Sequence, residues 1–475
     1  MLFDNPAVLV FAAIAVPCAF MALRHWQRAL FAVFVLLVFE GALRKWVLPW
    51  AQSGVYLVKD AILVAAYLGF LLDGRRKRSV RGEAGLIKVV LILSFMFGCI
   101  EVLNPNSPSI LIGLAGLKTY FLYVPIAFIL PYAFKSREHL FGLIRRYLIM
   151  AIPVAVLGFV QIAAGPESSL NTYVSFSEDA ENAGVRFGST YDLVRTSGTF
   201  SYISGYAVFL SFVAFLAIGY NMAKGWRLKN NIAPLLALTL VVGAMFTTGS
   251  RAPVYTLVIT GPIILGITVA SRALAFQTAM RLCLLLPIMA IIALNLSPRA
   301  FEGFTERASS SEDSSLERIS SPVFQTIVAL SEAPALGIGI GTTHNSALTI
   351  MGTKEPWWLH GLMPEDEMAR VTAELGVIGL LLNYFLRVLI AVFALRCAIS
   401  FNDPAYRALG IVLAVHLTSA LLFAVINNPT AGLYYWGALG LMLTMRRLEE
   451  AADAHARTTF ASSRRAIGRS AVHAE

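Results

Sequence analysis

Residues 235–246 read LLALTLVVGAMF, and residues 284–296 read LLLPIMAIIALNL. Both stretches are continuously apolar, whereas the strands of a membrane β-barrel alternate over roughly ten residues. Similar apolar runs of about 20 residues recur along the 475-residue chain, which is 57% hydrophobic and only 14% charged. A continuous apolar segment in lipid must be helical, because a helix satisfies its own backbone hydrogen bonds. The composition therefore predicts an all-α, polytopic membrane protein.

The charge of the connections predicts how the chain threads the membrane. Basic connections such as DGRRKRSVRGE (73–83) alternate with longer ones rich in Ser, Asn, Pro and acidic residues. Because Lys and Arg are biased toward the cytoplasm, we place the N-terminus on the periplasmic side and the C-terminus on the cytoplasmic side of a bacterial inner membrane.

We predict that residues 1–445 form one transmembrane domain and that 446–475 form a basic, disordered cytoplasmic tail. About thirteen spans are predicted, by length and apolarity, near 6–23, 28–47, 55–73, 86–103, 109–133, 140–163, 199–222, 231–249, 251–271, 279–296, 370–396, 404–426 and 431–446.

Two connections on the predicted periplasmic side are far longer than turns, at about 164–198 and 297–369. Long connections in compact structures are usually functional or disordered. The second contains an apolar stripe at helical spacing that ends at Pro334 and Gly337, so we predict an amphipathic helix on the outer surface or over a cavity. That stripe comprises Leu316, Ile319, Val323 and Ile327.

Three arginines open short motifs on the predicted periplasmic side, where basic residues are disfavoured. They are Arg195 in VRTSGTF, Arg251 in TTGSRAPVYTL and Arg318 in SSLERISSPVF. The planar guanidinium suits a phosphate or pyrophosphate, and Arg251 follows a tight turn at the start of a helix, where free N–H groups favour anions. The alternatives are contacts of these arginines with lipid headgroups, and a solvated polar face for Arg318.

Charged residues also lie inside the spans, where they are expensive and tend to pair or to line a water-filled cavity. All of them lie toward the predicted outer face, so one polar outer cavity would explain the set. Local pairing of Glu40 with Arg44 and snorkelling of the others remain the alternative. The candidate substrate-binding residues among them are Arg44, Lys45, Lys59, Lys118 and Glu374, with Glu40 and Asp60 as neighbouring acids.

The long outer connection also offers candidate catalytic groups. His344 in GTTHNS is a candidate general base or hydrogen-bond donor, and Glu365 and Asp366 in PEDE are carboxylates that could activate a sugar hydroxyl. The alternatives are a structural histidine and solvated loop carboxylates. GIGIG at 337–341 resembles a phosphate-cradling loop, but it follows no strand and lacks the Gly-Lys-Ser/Thr ending.

Several classes of ligand are disfavoured by the sequence. The four cysteines lie far apart and no Cys/His cluster has metal-ligand spacing, so we predict no metal and no cofactor. The net charge of +10 comes from short loops and the tail, which indicates membrane orientation rather than nucleic-acid binding.

Taken in order, the motifs resemble those of the O-antigen ligase and polysaccharide polymerase superfamily. RTSGTFSYISGYA and TTGSRAPVY resemble its two arginine motifs, ERISSPVFQTIVALSEAPALGIGIG its loop helix, and MARVTAELGVIGLLL the span that follows. FEGALRKW, KDAIL and GLKTYFLYVPIAFILP resemble N-terminal motifs of a polymerase-like subgroup. The resemblance covers about 40–385, and its specificity lies in the order and spacing of the motifs.

The resemblance implies a GT-C-like membrane glycosyltransferase that needs no metal. Such enzymes transfer a glycan from undecaprenyl diphosphate to an acceptor hydroxyl at the periplasmic face. Arg195 and Arg251 would hold the diphosphate and stabilise the charge of the leaving group. Ligases of the family carry a His-Asn pair just before the span that begins MARVTAELG, where this chain has Glu365 and Asp366, while His344-Asn345 lies earlier. This departure favours a polymerase of exopolysaccharide or O-antigen.

Two other functions stay open at the level of sequence. A ligase would transfer finished glycan to lipid A core or protein. A transporter or lipid-linked sugar flippase would move its substrate across the membrane and catalyse no glycosyl transfer. A transporter of this kind is expected to show repeat symmetry and discontinuous helices at the midplane, whereas the charges here crowd one half of the bilayer. The expected partners are the lipid-linked glycan, the bilayer, and a chain-length regulator or flippase of the same pathway.

The assigned topology can be tested with reporter fusions after residues 80 and 340. We expect opposite signals, because the first position lies in a basic connection and the second in the long connection predicted to be periplasmic. Equal signals from a reporter active on only one side of the membrane would contradict the shared face of the three arginines.

Overall fold

A computed structural model describes residues 6–74, 85–174, 186–187, 193–225, 228–272, 291–292, 295, 297–309, 315–352 and 366–472. Its first seven helices are α1 (Pro6–Arg24), α2 (Trp26–Ala42), α3 (Gln52–Leu72), α4 (Gly85–Glu101), α5 (Ile110–Phe121), α6 (Val124–Ile129) and α7 (Arg137–Ala164). The others are α8 (Ile203–Ala223), α9 (Leu228–Thr247), α10 (Arg251–Ala270), α11 (Pro298–Ser309), α12 (Ser315–Glu332), α13 (Asn345–Met351), α14 (Glu367–Ser400), α15 (Pro404–Ser419) and α16 (Pro429–Val472).

Short irregular elements join these helices. A π-helical turn, Leu43–Val47, extends α2, and single 3-10 turns lie at Pro49–Ala51, Leu130–Tyr132 and Ser169–Asn171. Two short strands, β1 (Arg186–Phe187) and β2 (Leu193–Val194), pair antiparallel. The predicted all-α class is confirmed for the part of the chain that the structure describes.

Six helical segments among the described residues are long and apolar enough to cross a membrane. Two shorter apolar helices, Phe11–Arg24 and Asn231–Thr247, also fall on predicted spans. The multi-pass architecture is confirmed, and the total of thirteen spans stays a prediction. The six segments are Pro49–Leu72, Ile110–Tyr132, Arg137–Ala164, Ile203–Ala223, Arg251–Ala270 and Glu367–Ser400.

The centre of the bundle is formed by α8, the most enclosed of the six segments, packed against α7, α9 and α15. Phe212 of α8 stacks on Tyr434 of α16 with ring centroids 4.2 Å apart. The hydroxyl of Tyr434 lies 2.7 Å from that of Tyr147 on α7, so this buried phenol has a hydrogen-bond partner. Aromatic packing with satisfied hydroxyls therefore joins α16 and α7 to α8.

The connections predicted to be cytoplasmic meet at one end of the bundle. Arg137 pairs with Asp403 at 3.1 Å, and Glu449 accepts hydrogen bonds from the backbone N–H groups of Asn402 and Asp403. Arg447 donates to the carbonyl of Phe134 at 2.6 Å. The loops and the start of the tail that were placed on one side by their charge therefore contact one another.

Helix α14 is interrupted at Gly376, whose φ of +61° and ψ of −161° are not helical. The loop that follows α12 supplies donors to the carbonyl groups at the break. The N–H of Ile338 donates to the Ala373 carbonyl at 2.9 Å, and that of Gly339 to the Glu374 carbonyl at 3.0 Å. Irregular backbone at membrane depth is tolerated when protein satisfies it in this way.

The helix predicted within the long connection is present as α12. Two side chains of the predicted stripe face away from the protein: Val323 is 56% exposed and Ile327 58% exposed. Phe324 and Leu330 extend the same exposed face. An exposed apolar face of this kind can rest on a bilayer, and the location of the helix at the outer surface stays a prediction.

The last helix differs from the predicted tail. Helix α16 continues from the final predicted span through Val472, where the sequence predicts a disordered segment from residue 446. Alanine is abundant in this stretch and has the highest helix propensity, which accounts for the continuation.

Replacing Gly376 by Ala tests the break in α14. The new Cβ would lie 2.0 Å from the Ala335 carbonyl oxygen, and a non-glycine residue in such a backbone conformation costs about 1–3 kcal/mol by itself. We expect a lower thermal midpoint and less protein in the membrane. Gly261→Ala is the control, because a Cβ there meets open space within a helix. Equal stability of the two variants would contradict the described contact.

Candidate active site

The two best arginine motifs of the sequence meet in space. The guanidinium Nε of Arg195 donates to the carbonyl of Thr248, three residues before Arg251 in the chain, at 3.0 Å. The backbone N–H of Thr196 donates to the Thr247 carbonyl at 3.0 Å, and the two threonine hydroxyls lie 2.7 Å apart. Both arginines are only partly buried. The turn before α10 and the loop before α8 thus form one unit with two guanidinium groups.

The N-terminal FEGALRKW motif packs against this same loop. The ammonium of Lys45 donates to the Ser197 hydroxyl at 3.0 Å and to the Gly198 carbonyl at 2.8 Å, and Arg44 donates to the Ser201 hydroxyl at 2.9 Å. Gly41 permits this close approach, because a Cβ there would lie 2.2 Å from the Ser201 backbone nitrogen. A glycine and two cations therefore bind α2 and its π-helical turn to the loop of Arg195.

The predicted intramembrane charges form a network across α2, α3 and α5. Lys59 lies 3.1 Å from Glu40 and 3.3 Å from Asp60, and Lys118 lies 2.5 Å from Asp60. Arg44 lies 3.7 Å from Glu40, as the local-pairing alternative predicted. Lys59 is only 1% exposed and Lys118 is 30% exposed, so the network opens at Lys118.

Glu374 anchors the loop that carries His344. Its carboxylate accepts hydrogen bonds from the Tyr120 hydroxyl at 2.7 Å, from the Thr343 backbone N–H at 2.9 Å and from the Thr343 hydroxyl at 2.7 Å. Its side chain is buried. Glu374 thus has a structural role, which is to hold the residue before His344, and its contact with substrate stays a prediction.

The glycines of GIGIG serve packing in this structure. Gly341 has a φ of +85°, and a Cβ on it would lie 2.5 Å from the Cα of Gly116 in α5. Gly337 has a φ of +79°, and a Cβ on it would lie 2.3 Å from the Glu374 carbonyl oxygen. Close approach of backbones therefore explains these glycines.

His344 is held as a neutral imidazole near two cations. Burial lowers the pKa of His344 to about 4, and the positive charges of Lys118 and Arg370 act in the same direction. Arg370 also donates to the Thr343 carbonyl at 3.3 Å. A neutral imidazole can accept a hydrogen bond from a hydroxyl, but a pKa this far below physiological pH makes it a weak proton acceptor.

Asp366 lies at the start of α14 and is joined to α12. Its carboxylate accepts a hydrogen bond from the Ser321 hydroxyl at 2.9 Å, and its backbone N–H donates to Gln325 at 3.2 Å. Arg318 lies on the same helix α12. The side chain of Arg318 and the whole of Glu365, Trp357, Trp358 and His360 lie outside the described residues.

One buried pair was missed by the sequence reasoning. Glu367 and Arg387 form an ion pair within α14, and both are buried. The Glu367 carboxylate also accepts hydrogen bonds from three consecutive N–H groups, at 425–427, and Arg387 donates to the Ala420 carbonyl at 2.7 Å. The signal was present in NYFLRVLI, since an arginine in the middle of an apolar span requires a partner.

The loop held by this pair forms one wall of a mainly apolar groove. Ser250, Ala252 and Pro253, which flank Arg251, line the groove together with Phe423 and Val425 of the loop. Residues of α8 complete it. An apolar groove therefore begins beside the arginine pair.

In the described part of the chain, no group of three His, Cys, Asp or Glu side chains could hold a metal ion. The free cysteines Cys18, Cys99 and Cys397 lie apart from the arginine pair in the sequence and on other helices.

The fold and the site together define a multi-pass helical membrane protein in which two arginines lie on hydrogen-bonded segments next to a mainly apolar groove. The chain is similar to an O-antigen polymerase of Salmonella muenchen, with 21% identity over 364 residues, which covers 72% of this chain and 85% of the relative. No family model matches the chain. The similarity confirms the resemblance to the O-antigen ligase and polysaccharide polymerase superfamily that the motifs predict.

Proposed function

We propose that this protein is a metal-independent glycosyltransferase that polymerises undecaprenyl-diphosphate-linked repeat units into exopolysaccharide or O-antigen at the periplasmic face of the inner membrane. The observation that carries the proposal is the hydrogen-bonded unit that brings Arg195 beside the turn of Arg251. The similarity to an O-antigen polymerase supports the same reaction class.

In the proposed reaction, an acceptor sugar hydroxyl attacks the anomeric carbon of the donor glycan. The new glycosidic bond forms as the bond from that carbon to the diphosphate oxygen breaks, and undecaprenyl diphosphate leaves with the bonding electron pair. The hydroxyl proton passes to a general base. Arg195 and Arg251 offset the charge that develops on the leaving diphosphate, and preorganised charges of this kind often contribute the largest share of catalysis.

The groove beside Arg251 suits the lipid part of the donor. Its lining is mainly apolar, and it begins at Ser250 and Pro253, on either side of the arginine. A polyprenyl chain in this groove would leave its diphosphate next to the guanidinium and to the first N–H groups of α10, which also favour an anion.

Arg251→Ala and Arg195→Ala test the diphosphate role. We expect each variant to lose polymer formation by about 10²- to 10³-fold, the usual loss when one donor to a developing anion is removed. Arg251→Lys should rescue poorly, because an ammonium lacks the bidentate fork. The measurement is elongation of a purified lipid-diphosphate oligosaccharide in EDTA, with membrane protein level as a check.

Arg272→Ala is the matched control for these variants, since Arg272 directly follows the opposite end of α10. It should retain polymer formation. Wild-type elongation by the Arg251 alanine variant would refute the proposed role of the arginine, and elongation that stops in EDTA and returns with Mg²⁺ would refute metal independence.

A ligase is the second candidate function, and the position of His344 near Arg370, in the first turn of α14, supports it. The His-Asn pair of ligases precedes this same span. Such an enzyme would transfer finished glycan to lipid A core or protein. A carboxylate base at Glu365 or Asp366 favours the polymerase.

Base variants separate these candidates. For the polymerase we expect Glu365→Gln or Asp366→Asn to reduce turnover by about 10²- to 10⁴-fold, and His344→Ala to reduce it less. Product should form from the lipid-diphosphate substrate alone. An inactive His344 variant, active acidic variants and a requirement for a separate acceptor would establish the ligase. Because the lowered pKa of His344 keeps it neutral above about pH 4, its protonation should cause no loss of activity near pH 6.5.

A further inference from the structure

The charge network across α2, α3 and α5 carries more positive than negative charge. Its basic members are Arg44, Lys59 and Lys118, and its acidic members in the described residues are Glu40 and Asp60. Lys45 is buried and donates hydrogen bonds to a hydroxyl and a carbonyl, both uncharged. Excess buried positive charge is costly unless an anion offsets it.

Two buried donors of the same region have no acceptor among the described residues. They are the Nε of Arg44 and the indole Nε1 of Trp46, both on the π-helical turn Leu43–Val47. A buried donor without a partner costs about 1–3 kcal/mol. Single π-helical turns inside α-helices are frequent at functional sites. The missing partner is therefore an acceptor.

The cations of the network surround one aromatic ring. Relative to the centroid of the Tyr56 ring, the Arg44 Cζ lies at 5.3 Å, the Lys59 Nζ at 4.8 Å and the Lys118 Nζ at 4.5 Å. Tyr56 and Lys118 are partly exposed, whereas Lys59 is enclosed. The cluster therefore has an open side at Tyr56 and Lys118, through which a ligand can approach it.

We propose that Arg44, Trp46 and Lys118 form a second anion site, which binds a phosphate or carboxylate group of the acceptor glycan. The site rests on the proposed function, because a transferase that joins two lipid-linked glycans must hold a second substrate beside the first. The arginine pair holds the leaving diphosphate of the donor. Lys45 and Arg44 bond to residues 197–201, the same loop that carries Arg195, so the two sites adjoin through one short segment.

The source of the anion is either the diphosphate of a second lipid-linked unit or an acidic sugar of the glycan. Both supply oxygen acceptors with negative charge, which the orphaned N–H groups and the excess cations require. Inorganic pyrophosphate and glucuronate serve as separate probes of the two sources.

The test measures thermal stabilisation of the purified full chain by each probe, at constant ionic strength. The reference protein carries Arg195→Ala and Arg251→Ala, which remove the donor site. We expect at least one probe to stabilise this reference, because a ligand that binds the folded state raises its stability. Adding Lys118→Gln or Trp46→Phe should weaken the apparent affinity about tenfold, the loss expected for one charge-assisted hydrogen bond. Lys88→Gln, an exposed lysine on neighbouring α4, is the control and should have no effect.

A response to pyrophosphate alone assigns the site to a lipid diphosphate, and a response to glucuronate alone assigns it to an acidic sugar. No stabilisation by either probe, or equal affinities in the Lys118 and Lys88 variants, would overturn the second site. The readout needs no turnover, so it is independent of the elongation assay. An inactive wild-type protein in that assay would instead count against the proposed function.

Discussion

The rest of the site depends on the hydrogen bonds that the loop of residues 195–201 makes to neighbouring segments. It bonds to the turn before α10 through Arg195 and Thr196, and to α2 and its π-helical turn through Ser197 and Ser201. Gln161 of α7 adds hydrogen bonds to both the N–H and the carbonyl of Gly198, at 2.8 and 3.2 Å. Because buried polar groups cost free energy unless they are paired, these contacts fix one arrangement of four chain segments.

A second constraint acts at the break in α14. The backbone groups released at Gly376 are satisfied by the loop after α12, and Glu374 at the same place bonds to Thr343. The break and the loop are therefore interdependent, and His344 is positioned as a result. Discontinuous helices in membrane proteins commonly surround ligand sites. Here the discontinuity orients a neutral imidazole near Lys118 and Arg370.

The two sets of cations suit a reaction between two large, lipid-linked substrates. The arginine pair adjoins an apolar groove, and the network around Tyr56 opens at Lys118. An electrostatic mechanism of this kind needs charges that are already in place before the substrate arrives, since reorganisation during the reaction would cost free energy. The ion pairs and hydrogen bonds of the network supply that fixed arrangement.

The sequence alone determined the helical class, because apolar runs of this length in lipid leave no other way to satisfy the backbone. It also indicated that Arg195, Arg251, Lys59 and Lys118 face one polar region, since charges in a membrane are confined to paired or solvated positions. Only the tertiary structure decided which groups meet. Three features depend on packing between segments that are distant in the chain. They are the contact of Lys45 with Ser197, the break at Gly376 and the ion pair of Arg387 with Glu367. Local hydropathy and motif spacing report the environment of a residue, whereas its partner is set by how the helices pack.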